Sequence, residues 1–299
     1  MTETSTVRLA TGTGVVLLAL LGGFALGRAV TAPTSIGTQP AASSDDHSHP
    51  AGTGPHLHGG TDGGGEVSGL AVSDSGYTLV PQRTELPAGV EVELRFQVVD
   101  AEQRPVTSFE VVHDKPMHLI VARRDLTGYQ HLHPQLSPDG TWSIPLRLAD
   151  PGIWRLYTDF TLRDPGGTPL ALTLGVDLVV AGDYTPTALP AATDTAEVDG
   201  FTVRMRGAPQ LGVVAPLLFE VVHADDPAPR LEPYLGAYGH LVAVRAGDLG
   251  YLHVHPDAEL VDGAVKFWLT APSPGDYRLF LDFQVAGVVR TAEFTVTVS

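Results

Sequence analysis

The stretch Val90-Glu-Val-Glu-Leu-Arg-Phe-Gln-Val-Val99 alternates apolar and polar side chains without a break. Val90, Val92, Leu94, Phe96 and Val98 fall on one face, and Glu91, Glu93, Arg95 and Gln97 on the other. A period of two describes a strand with one face in a core and the other in water. Farther along, Leu170, Leu172, Leu174, Val176, Leu178 and Val180 share a face, and the chain closes with Phe294, Val296 and Val298 alternating with Glu293, Thr295 and Thr297. After Asp62 no sustained helical period occurs, and Gly and Pro punctuate at short intervals.

The two halves carry the same pattern. Phe96-Gln-Val-Val matches Phe219-Glu-Val-Val, and Pro151-Gly-Ile-Trp-Arg-Leu-Tyr-Thr-Asp-Phe160 matches Pro274-Gly-Asp-Tyr-Arg-Leu-Phe-Leu-Asp-Phe283. The internal repeat is about 100 residues long, the size of one antiparallel sandwich. The expected architecture is all-β: two tandem immunoglobulin-like or cupredoxin-like antiparallel β-sandwich domains, over 76–183 and 198–299. The Pro/Thr/Ala segment YTPTALPAATDTAE, residues 184–197, is the expected linker.

Each repeat also carries one histidine pattern: HLIVARRDLTGYQHLHP from His118 to Pro134, and HLVAVRAGDLGYLHVHP from His240 to Pro256. In both, a His-x-His pair begins 13 positions after the first His. Residues i and i+2 of a strand share a face, so His131 projects with His133, and His253 with His255. A hairpin turning at Asp125, Leu126 and Thr127 sets His118 opposite His133, and a turn about Gly247 and Asp248 sets His240 opposite His255. Three imidazoles then converge on the non-core face of each hairpin, which predicts one metal site per repeat. Imidazole ligands suit copper(II) first and zinc(II) second. The chain has no Cys and only three Met, so thiolate and Met-rich sites are excluded. Repeat 1 also offers His113 and Met117 near its first His, so its coordination shell is expected to be the more complete. Asp159 and Asp282 end corresponding strands, as candidate fourth ligands or as hydrogen-bond partners of ligands. The competing use of these histidines is strand hydrogen bonding or contact between the two repeats.

The formal net charge of −16 and the scattered basic residues argue against nucleic-acid binding and favour cations. Between Arg8 and Arg28 lies an uncharged stretch, Leu9 to Gly27, which as a helix is about 28 Å long, close to a bilayer core. Residues 1–30 are therefore expected to be a transmembrane anchor, or alternatively a cleaved signal; both place the remainder outside the cytoplasm. Residues 31–75, rich in Gly, Ser, Thr, Pro, Asp and His, have too little apolar surface to fold and are expected to be a disordered tether. Its His47, His49, His56 and His58 form two more His-x-His pairs, suited to loose metal binding.

The strings MHLIVARRDL, QHLHP, YLGAYGHLVAVR, YLHVHP and PGDYRLFLDF resemble a family of largely uncharacterised bacterial membrane-anchored or secreted proteins. More loosely, residues 77–299 resemble the YtkA-like and CopC-like β-sandwiches associated with extracytoplasmic copper handling. The resemblance implies an immunoglobulin-like sandwich and a metal-related role. Low Met content and the lack of a mature amino-terminal His depart from the CopC-like pattern, which argues against a histidine brace. The expected function is binding of copper(II) or zinc(II) for sequestration, or for delivery to an envelope metal-transport partner, without catalysis. Two other classes stay open: a zinc enzyme with a three-histidine site like that of carbonic anhydrase, and a metal-free surface interaction module. Neither a general base nor a nucleophile motif accompanies the histidines, and Glu259 after His255 lacks the glycine spacing of a cupin.

Overall fold

The computed structural model describes residues 67–164, 166–252 and 254–299. Among these residues every regular element is a β-strand, and no helix is long and apolar enough to cross a membrane. The expected anchor or signal, and the tether up to residue 66, lie outside the described residues. The end of the expected tether is different: Ser68 bridges to Tyr251, and Ser73–Asp74 already forms a strand. Backbone pairing there supplies what the side chains of a Gly/Ser segment lack.

Repeat 1 contains β1 (Ser73–Asp74), β2 (Tyr77–Pro81), β3 (Glu85–Leu86), β4 (Glu91–Val99), β5 (His118–Arg123), β6 (Gln130–Leu132), β7 (Gln135–Leu136), β8 (Thr141–Arg147), β9 (Gly152–Arg163) and β10 (Pro169–Val180). They make two sheets, ordered β1-β2-β4-β8-β7 and β3-β10-β9-β5-β6. Only β3 and β10 run parallel. This is the strand order of an immunoglobulin-type sandwich. The alternation in β4 sends Leu94, Phe96 and Val98 inward, against Trp142, Trp154 and Leu119. Val90, expected in the same row, precedes the strand and is 53% exposed, because the left-handed Gly89 turns the chain just before it.

Repeat 2 contains β11 (Thr195–Val198), β12 (Phe201–Arg206), β13 (Ala215–His223), β14 (His240–Arg245), β15 (Tyr251–Leu252), β16 (His255–Pro256), β17 (Val265–Leu269), β18 (Gly275–Val285) and β19 (Val288–Val298). Its sheets are ordered β11-β12-β13-β17-β16 and β15-β14-β18-β19. Its core gathers Phe219, Phe267, Phe283 and Phe294.

A third apolar cluster joins the repeats. Leu119 and Val121 of β5 point into the repeat 1 core, while Ile120 and Ala122, on the opposite face, pack with Val242, Val244 and Phe280 of repeat 2. Both hairpin turns insert a leucine into this layer. Leu126 and Leu249 are 2% exposed and adopt left-handed backbone, at φ 62° and 65°. Such a conformation costs a β-carbon residue about 1–2 kcal/mol, while burying a leucine contributes about 1.5–3 kcal/mol. Burial outweighs the strain. The N-terminal segment seals one edge: Ser68 exchanges backbone hydrogen bonds with Tyr251 of repeat 2, and the Gly69 amide donates to Thr173 of repeat 1. Gly69 is left-handed, and a β-carbon there would sit 2.5 Å from the Tyr157 ring, so only glycine fits. Within the expected linker, the Thr187 amide donates to Asp125 at 2.8 Å and Leu189 packs on the shared cluster; the segment ends in β11 rather than running free to residue 197.

Candidate metal centre

The histidines meet at one end of this shared layer. In repeat 1 the hairpin register is Leu119↔Leu132, Ile120↔His131 and Val121↔Gln130, and continuing it places His133 across from His118. The turn lies where the sequence puts it, held by Asp125 Oδ1, which accepts from the Thr127 amide and hydroxyl and from Arg123 Nε. His118, His131 and His133 each offer a ring nitrogen to one group in which these atoms lie within 4.8 Å of one another. Their ring centroids are 4.8–5.3 Å apart.

Repeat 2 does not build a separate copy among the described residues. Its hairpin pairs Ala243 with Leu252 and Val244 with Tyr251, but His255 lies in β16, which pairs with β17 of the opposite sheet, opposite Trp268. His255 enters neither ligand grouping, and His253 lies outside the described residues. His240 instead faces repeat 1. Its ring stacks on His118 at 5.2 Å with an interplanar angle of 10°, and lies 4.5 Å from His131. His131, His240 and Asp282 form a second grouping that shares His131 with the first. The non-core faces of the two hairpins cover each other, and His240 of repeat 2 joins the repeat 1 histidines in one cluster among the described residues.

The other candidates divide. His113 sits in a left-handed turn at φ 50°, and its ring is 6.1 Å from His118 and 6.0 Å from His240, at the rim of the cluster. Met117 is in the repeat 1 core with Leu119 and Trp142, so its sulfur is not among the clustered donors. Asp159 pairs with His118 across β5–β9, and its carboxylate accepts from the Thr173 hydroxyl at 3.0 Å and from the Tyr251 hydroxyl of repeat 2 at 3.3 Å. Asp282 pairs with His240 across β14–β18; its Oδ1 accepts from the Thr291 hydroxyl at 2.6 Å. Its Oδ2 accepts from His131 Nδ1 at 2.7 Å, across the interface between repeats.

Hydrogen bonds orient the imidazoles. His118 Nε2 lies 3.1 Å from the Val112 carbonyl, which can only accept, so Nε2 carries the proton and Nδ1 a lone pair. His131 Nδ1 faces the Asp282 carboxylate and donates to it at 2.7 Å. His131 Nε2 faces His118 Nδ1 at 3.0 Å, within hydrogen-bond distance. The third nitrogen acceptor is close by: His133 Nε2 is buried without a hydrogen-bond partner among the described residues. Burial, reinforced by the charge a neighbouring imidazolium would carry, pushes His118 down to about 4 and His133 to about 3. Both are therefore neutral near pH 7, the form that binds metal. Beside these neutral rings stand the carboxylates Asp159 and Asp282. A cleft in repeat 1 is lined by Glu110, His113, Lys115, His118 and Asp159.

Comparison with known proteins places the chain by its repeats. A family described as "Domain of unknown function (DUF8832)" matches twice, over residues 71–173 and 196–299. The chain belongs to this family. The double match agrees with the internal repeat and with an uncharacterised family. No curated protein matches. Among solved structures, the Escherichia coli adhesin FdeC is 16% identical, with a TM-score of 0.24, over 77% of this chain and 66% of that one. A Salmonella alpha-2-macroglobulin mutant is 13% identical, with a TM-score of 0.26, over 84% of this chain and 16% of that one. The tandem Ig repeats of Dlar are 9% identical, with a TM-score of 0.19, over 75% of this chain and 97% of that one. At such identities and TM-scores none of these likenesses bears on function.

Proposed function

We propose that this protein binds a divalent transition metal, copper(II) in first place and zinc(II) in second, through His118, His131 and His133 at the junction of its two repeats. The observation that carries the reading is the convergence of ring nitrogens from all three histidines within 4.8 Å of one another, with His118 Nδ1 and His131 Nε2 facing each other at 3.0 Å and their opposite nitrogens held by the Val112 carbonyl and the Asp282 carboxylate. A metal ion bound there replaces any proton these two nitrogens share. A zinc ion with nitrogen ligands at about 2.0–2.1 Å on a tetrahedral angle needs them about 3.3 Å apart, within a few tenths of an ångström of the 3.0 Å between this pair. His133, whose Nε2 is buried without a hydrogen-bond partner among the described residues, supplies the third ligand. Two buried carboxylates beside neutral imidazoles offset the charge of a divalent ion.

The role that fits is sequestration of the metal, or its delivery to an envelope metal-transport partner, outside the cytoplasm and tethered to the membrane through residues 1–30. The uncharged Leu9–Gly27 stretch supports the address, and the three clustered imidazoles support the metal. The test is calorimetry with copper(II) and zinc(II) on the full chain carrying His47, His49, His56 and His58 as alanine. One ion bound at sub-micromolar Kd supports the reading. Absence of such binding sinks it and leaves the metal-free interaction module.

A further inference from the structure

The His131 ring faces both repeats. Its Nε2 belongs to the repeat 1 ligand set, while its Nδ1 donates to Asp282 of repeat 2, 151 positions away in sequence. Asp282 is itself held rigidly: it lies inside β18, its side chain is 3% exposed, and Thr291 on β19 fixes its other oxygen. A carboxylate that accepts from the far nitrogen of a metal-bound histidine fixes the ring orientation and raises its basicity. Here that carboxylate arrives only when the two repeats are packed together, through Ile120, Ala122, Val242, Val244 and Phe280.

We infer that repeat 2 is the positioning half of a metal centre whose ligands lie in repeat 1, with Asp282 as the positioning residue. The bound ion then acts as a clasp on the interface between repeats. The inference rests on the metal-binding reading above. Its physical basis is linkage: if closure of the interface improves metal affinity, metal must by the same factor favour closure.

The experiment uses zinc(II) and the full chain with the four tether histidines as alanine. Asp282→Ala should weaken zinc binding about 10–100-fold. Asp282→Asn, whose amide oxygen still accepts from Nδ1, should recover most of the loss, and it also provides the variant that preserves packing if Asp282→Ala fails to fold. Interface opening is read separately. The chain has no cysteine, so Ala122→Cys places a single thiol on a fully buried interface position. Zinc at 100 times its Kd should slow alkylation of that thiol by up to about 100-fold, and the slowing should shrink when Asp282→Ala is added at equal zinc occupancy. Unchanged zinc affinity in both Asp282 variants, or alkylation indifferent to zinc, overturns the inference while leaving a metal site in repeat 1. Two zinc ions per chain, one lost with Asp282→Ala, would make Asp282 a ligand and also overturn it. A parent chain that binds no zinc or copper removes the metal reading itself.

Discussion

The two repeats pack with near two-fold symmetry but bond without it. Tyr129 of repeat 1 stacks on Phe280 of repeat 2 at 4.0 Å, and Tyr251 of repeat 2 lies against Tyr157 of repeat 1 at 5.6 Å. Leu126 and Leu249 enter the shared layer from matching turns. The polar contacts diverge. Tyr157 donates to the Leu249 carbonyl at 2.6 Å, whereas its counterpart Phe280 has no hydroxyl. Tyr251 donates to Asp159, whereas the Tyr129 hydroxyl is buried without a hydrogen-bond partner among the described residues, and Asp282 is taken by His131 and Thr291. Apolar contact is non-directional and tolerates divergence of sequence, while a hydrogen bond is lost with one atom. Duplicated halves can thus keep a symmetric interface while concentrating their chemistry in one of them.

The sharpest break of this comparison removes ligands from each half. His131→Ala with His133→Ala should lower copper(II) or zinc(II) affinity by more than about 100-fold, several kcal/mol at 1.4 kcal/mol per decade. His255→Ala should change it less than about threefold by the same calorimetry. Equal losses would return the molecule to two independent sites.

Next in size is the apolar layer itself. Ile120→Ala leaves a cavity between the repeats and should cost about 2–5 kcal/mol in denaturant unfolding. A loss typical of a surface position would mean that the repeats do not share this core in solution.

Acid probes the asymmetry through protonation. In the metal-free protein His118 and His133 titrate at about 4 and about 3, below the ordinary value of 6.5. The unfolded chain therefore takes up protons first as pH falls. Stability from these two groups is fully present above about 6.5 and is lost progressively down to about 4 and below. Thermal unfolding should show a midpoint that falls below pH 6.5, and a flatter profile in His118→Gln/His133→Gln; matching profiles would mean that the rings are not buried.

The smallest effect restores the symmetry. Tyr157→Phe makes the position like Phe280 and should cost about 1–2 kcal/mol, one hydrogen bond with its acceptor left buried. No change in the unfolding midpoint would mean that the Leu249 carbonyl is solvated.

Local pattern made much of the fold legible. Alternation in Leu94–Val98 and Leu172–Val180 marks half-buried strands, and the matched Pro-Gly segments at 151 and 274 mark the repeat. The 13-residue spacing, with Asp125 at its centre, gave the register that opposes His118 and His133. A further signal lies in the two histidine strands: His118–Arg123 and His240–Val244 are buried throughout, and HLIVA and HLVAV lack the polar alternation of VEVELRF. A strand that is apolar on both faces must be covered on both. That feature foretold the contact between repeats.

What the sequence determined by itself is therefore what depends on neighbours in the chain: strand period, turn position, hairpin register and the pairing of His131 with His133. The tertiary structure decided what depends on the second repeat. It buried the histidine faces against each other, sent His240 toward His131, turned Met117 into the core, and brought Asp282 to His131 Nδ1 at 2.7 Å. The physical reason is that side-chain direction along a strand follows from a two-residue period, whereas the partner covering a face is chosen by the summed burial of Ile120, Ala122, Val242, Val244 and Phe280, residues no local pattern connects.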